Sequence, residues 1–308
     1  MKKDLLKMDD LSKDEILEIL NLADQLKYEL KHGIPHEHLK GKTLGMIFEK
    51  SSTRTRVSFE AGMYQLGGHA LFLSSRDLQI GRGEPIEDTA RVLSRYVQGI
   101  MIRTYSHDEV ENLSKYSTIP IINGLTDLEH PCQVLADLMT IREYKTILDG
   151  LNVAYIGDGN NMCHSLIIGC LKIGMNISVA CPKDYMPSED YIKRGQQIAK
   201  LEGVNFNIYE NPKEAIKNAD VILTDVWAGM GHENETEARL KAFSGFQLNT
   251  ELVSFAAPNA MILHCLPAHR GEEITADVLE EHAAEIFDEA ENRMHAQKAI
   301  LVKLMKNS

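Results

Sequence analysis

The sequence predicts an α/β fold: two doubly wound domains, each a parallel β-sheet flanked by helices, with the C-terminal helix packing back on the first domain. Three observations carry this expectation. The chain has 308 residues, too many for one small core and suited to two domains of ordinary size. Short apolar runs alternate with amphipathic stretches along the whole length, as parallel strands and their covering helices do. That rhythm restarts after the turn Leu148-Asp149-Gly150, which sets the expected domains at 1–148 and 149–308.

The elements follow in order. Ser12-Lys13-Asp14-Glu15 reads as a capping box, with Ser12 as N-cap and Glu15 at the third helical position. Ile16, Leu17, Ile19, Leu20, Ala23 and Leu26 then recur at helical spacing until His32-Gly33 ends the run. Strands are expected at 44–48, 70–73, 99–103 and 119–122. Helices are expected near 54–66, 86–97 and 107–116, and from Pro131 to about Lys145. In the second half, strands are expected at 151–156, 177–180, 204–208, 221–224 and 261–263, with helices between them. The last helix, over about 292–306, follows the second sheet and is the one expected to return to the first domain.

Composition narrows the class. The chain is 44% hydrophobic and 25% charged, as ordinary globular proteins are. A net charge of −12 argues against a nucleic-acid partner, yet leaves room for one local basic pocket that takes a small anion. The five cysteines, Cys132, Cys163, Cys170, Cys181 and Cys265, are odd in number and form no CxxC, so reduced thiols in a cytoplasmic protein are expected. The N-terminus is too charged for a signal peptide, and no apolar run approaches the length of a membrane span, so no membrane partner is expected.

Residues 51–56 read SSTRTR where a strand turns into a helix. A helix N-terminus presents unpaired N–H groups and a partial positive charge, which suit an anion. Hydroxyls add donors, and the planar guanidinium of arginine matches phosphate with two parallel bonds. N-capping by Ser52 or Thr53 with solvated arginines is the plainer alternative. The stretch lacks the glycines and lysine of a Walker A loop. Arg103 ends the strand GIMIR, and His130 opens HPCQ with Gln133 one turn on. All lie at carboxyl ends of strands, where ligands of open parallel sheets bind. GDGNN (157–161) follows the fifth strand but has Met162 where a dinucleotide fingerprint has its third glycine.

SSTRTRVSFE, HPCQ and HCLP (264–267), in this order and with GRGEPIEDTARVLSR (81–95) and GDGNN, resemble the aspartate/ornithine carbamoyltransferase family. The resemblance runs from the first helix to DEAENR (288–293). It implies transfer of the carbamoyl group of carbamoyl phosphate to an amine, with no metal and no organic cofactor. It implies that Ser52, Thr53, Arg54 and Thr55 hold the phosphate. Thr55, Arg103 and His130 then donate to the carbamoyl oxygen, Gln133 binds its amide, and Arg293 completes the anion pocket. Gln79 is implied to reach the phosphate of a neighbouring subunit, hence a homotrimer, or a multiple of trimers, with shared active sites. Arg56 is expected to be structural.

For the acceptor, the resemblance implies that Asn161 binds the α-carboxylate of L-ornithine, Asp225 its α-ammonium, and the backbone at Met230 adds a donor. Gly229-Met230-Gly231 stands where ornithine enzymes carry Ser-Met-Gly, so the serine hydroxyl is missing. Cys265 and Asp225 are implied to lie near the attacking δ-amine, and the Leu266 backbone near the carbamoyl nitrogen. A covalent role for Cys265 requires a base and an acyl-enzyme, whereas direct attack by the amine requires neither. Aspartate enzymes lack a cysteine here, so HCLP favours ornithine as acceptor, with citrulline and phosphate as products. The alternatives are another amine, such as putrescine or an acylated ornithine, and a non-catalytic relative. The last predicts loss of Arg54, Arg103 or His130, and all three are present.

Overall fold

The computed structural model describes residues 3–79, 83–228 and 235–306. They divide into two compact units, Met1–Met139 with Asn292–Ser308, and Thr140–Glu291. Both expected sheets are present and wholly parallel.

In the first unit, α1 (Lys13–Lys31) starts on the predicted capping box: Ser12 Oγ accepts from Glu15 N at 3.2 Å, and Glu15 Oε2 from Ser12 N at 3.1 Å. Then follow β1 (Thr43–Phe48), α2 (Thr53–Gln65), β2 (His69–Ser74), α3 (Ile86–Leu93), β3 (Gly99–Arg103), α4 (His107–Tyr116), β4 (Ile121–Leu125) and α5 (Pro131–Lys145), whose residues from Thr140 on belong to the second unit. The strand order is β2-β1-β3-β4. Leu44, Met46, Ile47, Ile100, Met101, Ile102, Ile121 and Ile122 are buried on both sheet faces, as strands covered by helices must be. From β1 the chain steps outward to β2, then crosses back to lay β3 on the other side of β1. The crevice at the carboxyl ends of β1 and β3 is therefore where a ligand fits.

The second unit holds β5 (Asn152–Ile156), α6 (Asn161–Lys172), β6 (Asn176–Ala180), α7 (Glu189–Glu202), β7 (Phe206–Tyr209), α8 (Pro212–Ala215), β8 (Val221–Thr224), α9 (Thr236–Ala242), α10 (Thr250–Val253), β9 (Met261–His264) and α11 (Ala276–Glu281). Its order, β7-β6-β5-β8-β9, makes the same reversal between β5 and β8. Ala154, Ile156, Ile222, Ile262, Trp227 and Phe243 belong to one core beneath it.

Four elements differ from the sequence expectation. α3 ends at Leu93 rather than 97, because the chain turns at 94–96, with Arg95 N donating to Val92 O and Tyr96 N to Leu93 O. β4 starts at Ile121 rather than 119, because Ile119 is held in a turn: its N–H donates to Ser117 Oγ and its carbonyl accepts from the same hydroxyl. β7 starts at Phe206 rather than 204, because Gly203 is left-handed and Val204 N donates back to Ala199 O at the end of α7. The last helix, α12 (Ala283–Met305), starts well before 292, since AAEIFDEAE contains no helix breaker. From Asn292 onward it belongs to the first unit, as expected, and Lys27 Nζ donates to Asn292 Oδ1 at 2.7 Å. Among the described residues, no helix is long and apolar enough to cross a membrane.

Candidate active site

At the reversal of the first sheet, Arg103 closes β3 with its side chain buried, and its carbonyl accepts from Glu49 N at 2.9 Å. That bond ties the loop after β1 to the end of β3. Ser52 is the N-cap of α2, its hydroxyl accepting from Thr55 N at 3.2 Å. The plainer alternative for SSTRTR is thus true of Ser52, and the same cap positions donors. Thr55 is fully buried, and its hydroxyl oxygen accepts from Ser52 Oγ and from Arg293 Nη2, both at 3.1 Å. Two accepted bonds occupy both lone pairs of that oxygen, so its own proton is left to donate.

Arg293 Nη1 also donates to Gln133 Oε1 at 2.6 Å, and Gln133 Nε2 donates to Asp137 Oδ1 at 2.7 Å. A chain of bonded groups, Asp137–Gln133–Arg293–Thr55–Ser52, buried except at the half-buried Ser52, thereby joins α5, α12 and α2 within the first unit. Each bond fixes which face of the next group points onward. His130, at the foot of α5, is buried beside it. Burial pushes its imidazole well below the usual 6.5, and the charges of Arg293, Arg103 and Arg54 push it the same way. The ring is therefore neutral at neutral pH and donates from one nitrogen only. Three cations around a neutral donor make a site for an anion with a carbonyl attached.

The other first-unit residues sort themselves around this cluster. Arg54 is half-buried, Thr53 is exposed at the first turn of α2, and Gln79 is exposed beyond β2. Arg56 turns aside, pairing with Glu60 at 3.1 Å and lying over the Phe72 ring at 3.7 Å, in keeping with a structural part. Cys132 is sealed in the core, donates to Asn123 O at 3.4 Å, and burial pushes its thiol up to about 12, so it is inert.

In the second unit, β5 runs into Gly157, whose φ of 152° only glycine adopts readily, and then into the cap of α6. Gly159 is tied to the 185–187 segment: Gly159 N donates to Tyr185 O at 2.8 Å, and a Cβ here would lie 2.2 Å from Pro187 N. This glycine therefore serves close backbone packing rather than a dinucleotide. Asn160 caps α6, accepting from Met162 N at 2.9 Å, and donates through Nδ2 to Asp225 Oδ2 at 2.9 Å. Asn161 is half-buried at the first position of α6. Asp225, just past β8, is also bonded by Val226 N at 2.8 Å and by the Cys265 thiol at 3.1 Å. A carboxylate beside the sulfur disfavours the thiolate that a covalent route needs.

Leu266 follows with φ 56°, a conformation rarely taken by a branched side chain. It is held there by a bond from Leu266 N to His264 Nδ1 at 2.9 Å, and His264 Nε2 faces the buried Glu273 at 2.9 Å. Gly229 and Met230 lie outside the described residues.

The chain matches two family models end to end. Residues 3–143 match "Aspartate/ornithine carbamoyltransferase, carbamoyl-P binding domain", and residues 149–304 match "Aspartate/ornithine carbamoyltransferase, Asp/Orn binding domain". The chain belongs to the aspartate/ornithine carbamoyltransferase family. Among its relatives, the ornithine carbamoyltransferase of Methanosarcina mazei is 56% identical over 306 residues, covering 99% of this chain and 100% of the relative. That of Anoxybacillus flavithermus is 58% identical over 303 residues, covering 98% and 96%. The solved ornithine carbamoyltransferase of Pyrococcus furiosus superposes with a TM-score of 0.95 at 54% identity, covering 99% of this chain and 97% of that one.

Within this carbamoyltransferase frame, sequence reasoning passed over Asp137, which orients the Gln133 amide, and Asn160, which ties the GDGNN turn to Asp225. The signal for Asn160 was present: an asparagine where a strand becomes a helix is a preferred cap. The signal for Asp137 was present too: it stands four residues after Gln133 on the helix expected from Pro131, the spacing at which such side chains meet.

Proposed function

We propose that this chain transfers the carbamoyl group of carbamoyl phosphate to the δ-amine of L-ornithine, giving L-citrulline and phosphate. The observation that carries the reading is the buried Gln133–Arg293–Thr55 chain beside neutral His130. In the transition state the carbamoyl oxygen gains negative charge while phosphate leaves as an anion, so fixed donors are needed at both places. Ser52, Thr53, Arg54 and Thr55 take the phosphate, with Arg293 lending charge and orienting Thr55 and Gln133. Thr55, Arg103 and His130 donate to the carbamoyl oxygen, and Gln133 addresses its amide. His130, being neutral, polarises the carbonyl without giving up a proton.

Asn161 takes the ornithine carboxylate and Asp225 the α-ammonium, with Gly229 and Met230 contributing backbone. Cys265 and Asp225 orient the δ-amine and favour its neutral, attacking form, and the Leu266 carbonyl accepts from the carbamoyl nitrogen. The names and 53–58% identities of the relatives support ornithine as acceptor. We also read the working form as a trimer with Gln79 serving a neighbouring site. Val57 and Tyr64 on α2, and Leu71 and Phe72 on the edge strand β2, are exposed apolar side chains, and their exposure supports such packing. The free thiols fit a reducing, cytoplasmic setting.

The test is a ureido-product assay with carbamoyl phosphate and ornithine, N-acetylornithine, putrescine, lysine or aspartate. Fast product formation with ornithine is expected. Turnover with another amine alone would overturn the acceptor while keeping the anion site.

A further inference from the structure

Arg239 on α9 is buried beside the core that holds Trp227, and the groups its guanidinium meets lie on segments beyond the strand ends. Nη1 donates to Asp158 Oδ2 at 2.7 Å and to Trp227 O at 2.9 Å, and Nε donates to Glu235 Oε2 at 3.0 Å. The guanidinium lies 4.8 Å from the centre of the Tyr185 ring, and the Tyr185 carbonyl is the one that holds Gly159 N at 2.8 Å. One side chain thus ties down the 157–161 turn twice, through Asp158 and through Tyr185. It also holds the 225–227 segment that leaves β8. The two residues assigned to the amino acid's charged groups, Asn161 and Asp225, sit on those two segments.

We propose that Arg239 is a positioning residue for the acceptor: it sets the spacing of Asn161 and Asp225 so that one α-amino acid satisfies both. This rests on the ornithine reading given above. A buried ion pair is a poor device for stability, because desolvating two charges consumes most of their attraction. As a device for geometry it suits the position. Arginine's fork fixes direction as well as distance, and a single nitrogen shared by Asp158 and the Trp227 carbonyl locks the two segments to each other. The sequence alone does not reveal this, because Arg239 lies in an ordinary amphipathic stretch outside every motif.

The experiment compares the native chain with Arg239→Lys, Asp158→Asn and the double variant. Lysine keeps the charge but cannot serve Asp158, Glu235 and Trp227 O together. Asp158→Asn keeps the shape and leaves Arg239 in place, so it stands in if the lysine variant fails to fold. The KM for ornithine is expected to rise about tenfold in each single variant, with the KM for carbamoyl phosphate within about twofold. The double variant should be little worse than either single one, because the two residues act through one pair. Trp227 is the chain's single tryptophan, so its emission should also change in both variants. Equal rises in both KM values, or a fall in kcat with both unchanged, would overturn the role of Arg239. So would a KM for ornithine that stays within about twofold while the native chain makes citrulline. A native chain that makes no citrulline overturns the functional reading itself.

Discussion

Replacing Arg293 by methionine separates what the anion cluster does for folding from what it does for binding. The substitution keeps length and removes the donors that Arg293 gives to Gln133 Oε1 at 2.6 Å and Thr55 Oγ1 at 3.1 Å. Hydrogen bonds from a charged group contribute about 1.5–3 kcal/mol each, so the two together represent about 3–6 kcal/mol. Against this, the variant removes a buried cation that stands near Arg54 and Arg103 and costs desolvation of comparable size. The ligand-free chain should therefore lose only about 1–2 kcal/mol. Phosphate affinity has no such offset. It loses one charge and the orientation of Thr55 and Gln133, about 3 kcal/mol or roughly a hundredfold in Kd.

Thermal unfolding with and without phosphate reads both effects. At a ligand concentration of about a hundred times Kd the native chain gains about 2.7 kcal/mol, and the variant at the same concentration should gain about 0.4 kcal/mol. NMR of the imidazole protons gives an independent check. Arg293 is the strongest of the charges that depress His130, so the ring of the variant should titrate higher than that of the native chain. Equal stabilisation of both chains by phosphate would refute the reasoning.

Four further outcomes are expected. Cys265→Ala should cut turnover with ornithine and spare carbamoyl phosphate binding, measured as kcat and as phosphate-analogue affinity; unchanged turnover would remove Cys265 from the mechanism. The depressed His130 makes its contribution to stability full above about pH 6.5 and lost as pH falls toward the folded value, so denaturant midpoints should drop over that window and His130→Gln should flatten the drop. Lys298 is buried against His36 Nε2 at 2.8 Å and Gln65 Oε1 at 3.0 Å, and burial lowers it to about 8. The unfolded chain keeps that proton to higher pH, so stability should rise above pH 8 relative to Lys298→Met, and parallel pH curves would contradict the shift. Phe72→Glu should lower the sedimentation mass from a multiple of 34.6 kDa toward that of one chain, and an unchanged assembly would exclude the β2 edge as its contact.

Much of the fold was legible because local rules and global packing agreed. The Ser12–Glu15 box, the apolar runs of β1 and β3 and the helix after Pro131 all formed where spacing and caps placed them. Boundaries failed where a bond outside the local pattern intervened, as with Ser117 on Ile119 and Ala199 on Val204. In the site, residues within motifs could be read because several donors stood at one strand end. The bonds between motifs could not. Arg293 to Thr55 and Asn160 to Asp225 join residues far apart in the chain, and only the folded backbone brings them within reach.

The last turns of α12 complete the first unit, and Arg293 in them bonds Thr55 and Gln133. A ribosome makes these residues after the strands of both sheets. The N-terminal sheet can form early in synthesis, but its anion cluster stays unfinished until the second sheet has been made. A chain cut off before α12 therefore lacks the bonds that orient Thr55 and Gln133, however well its first sheet has folded.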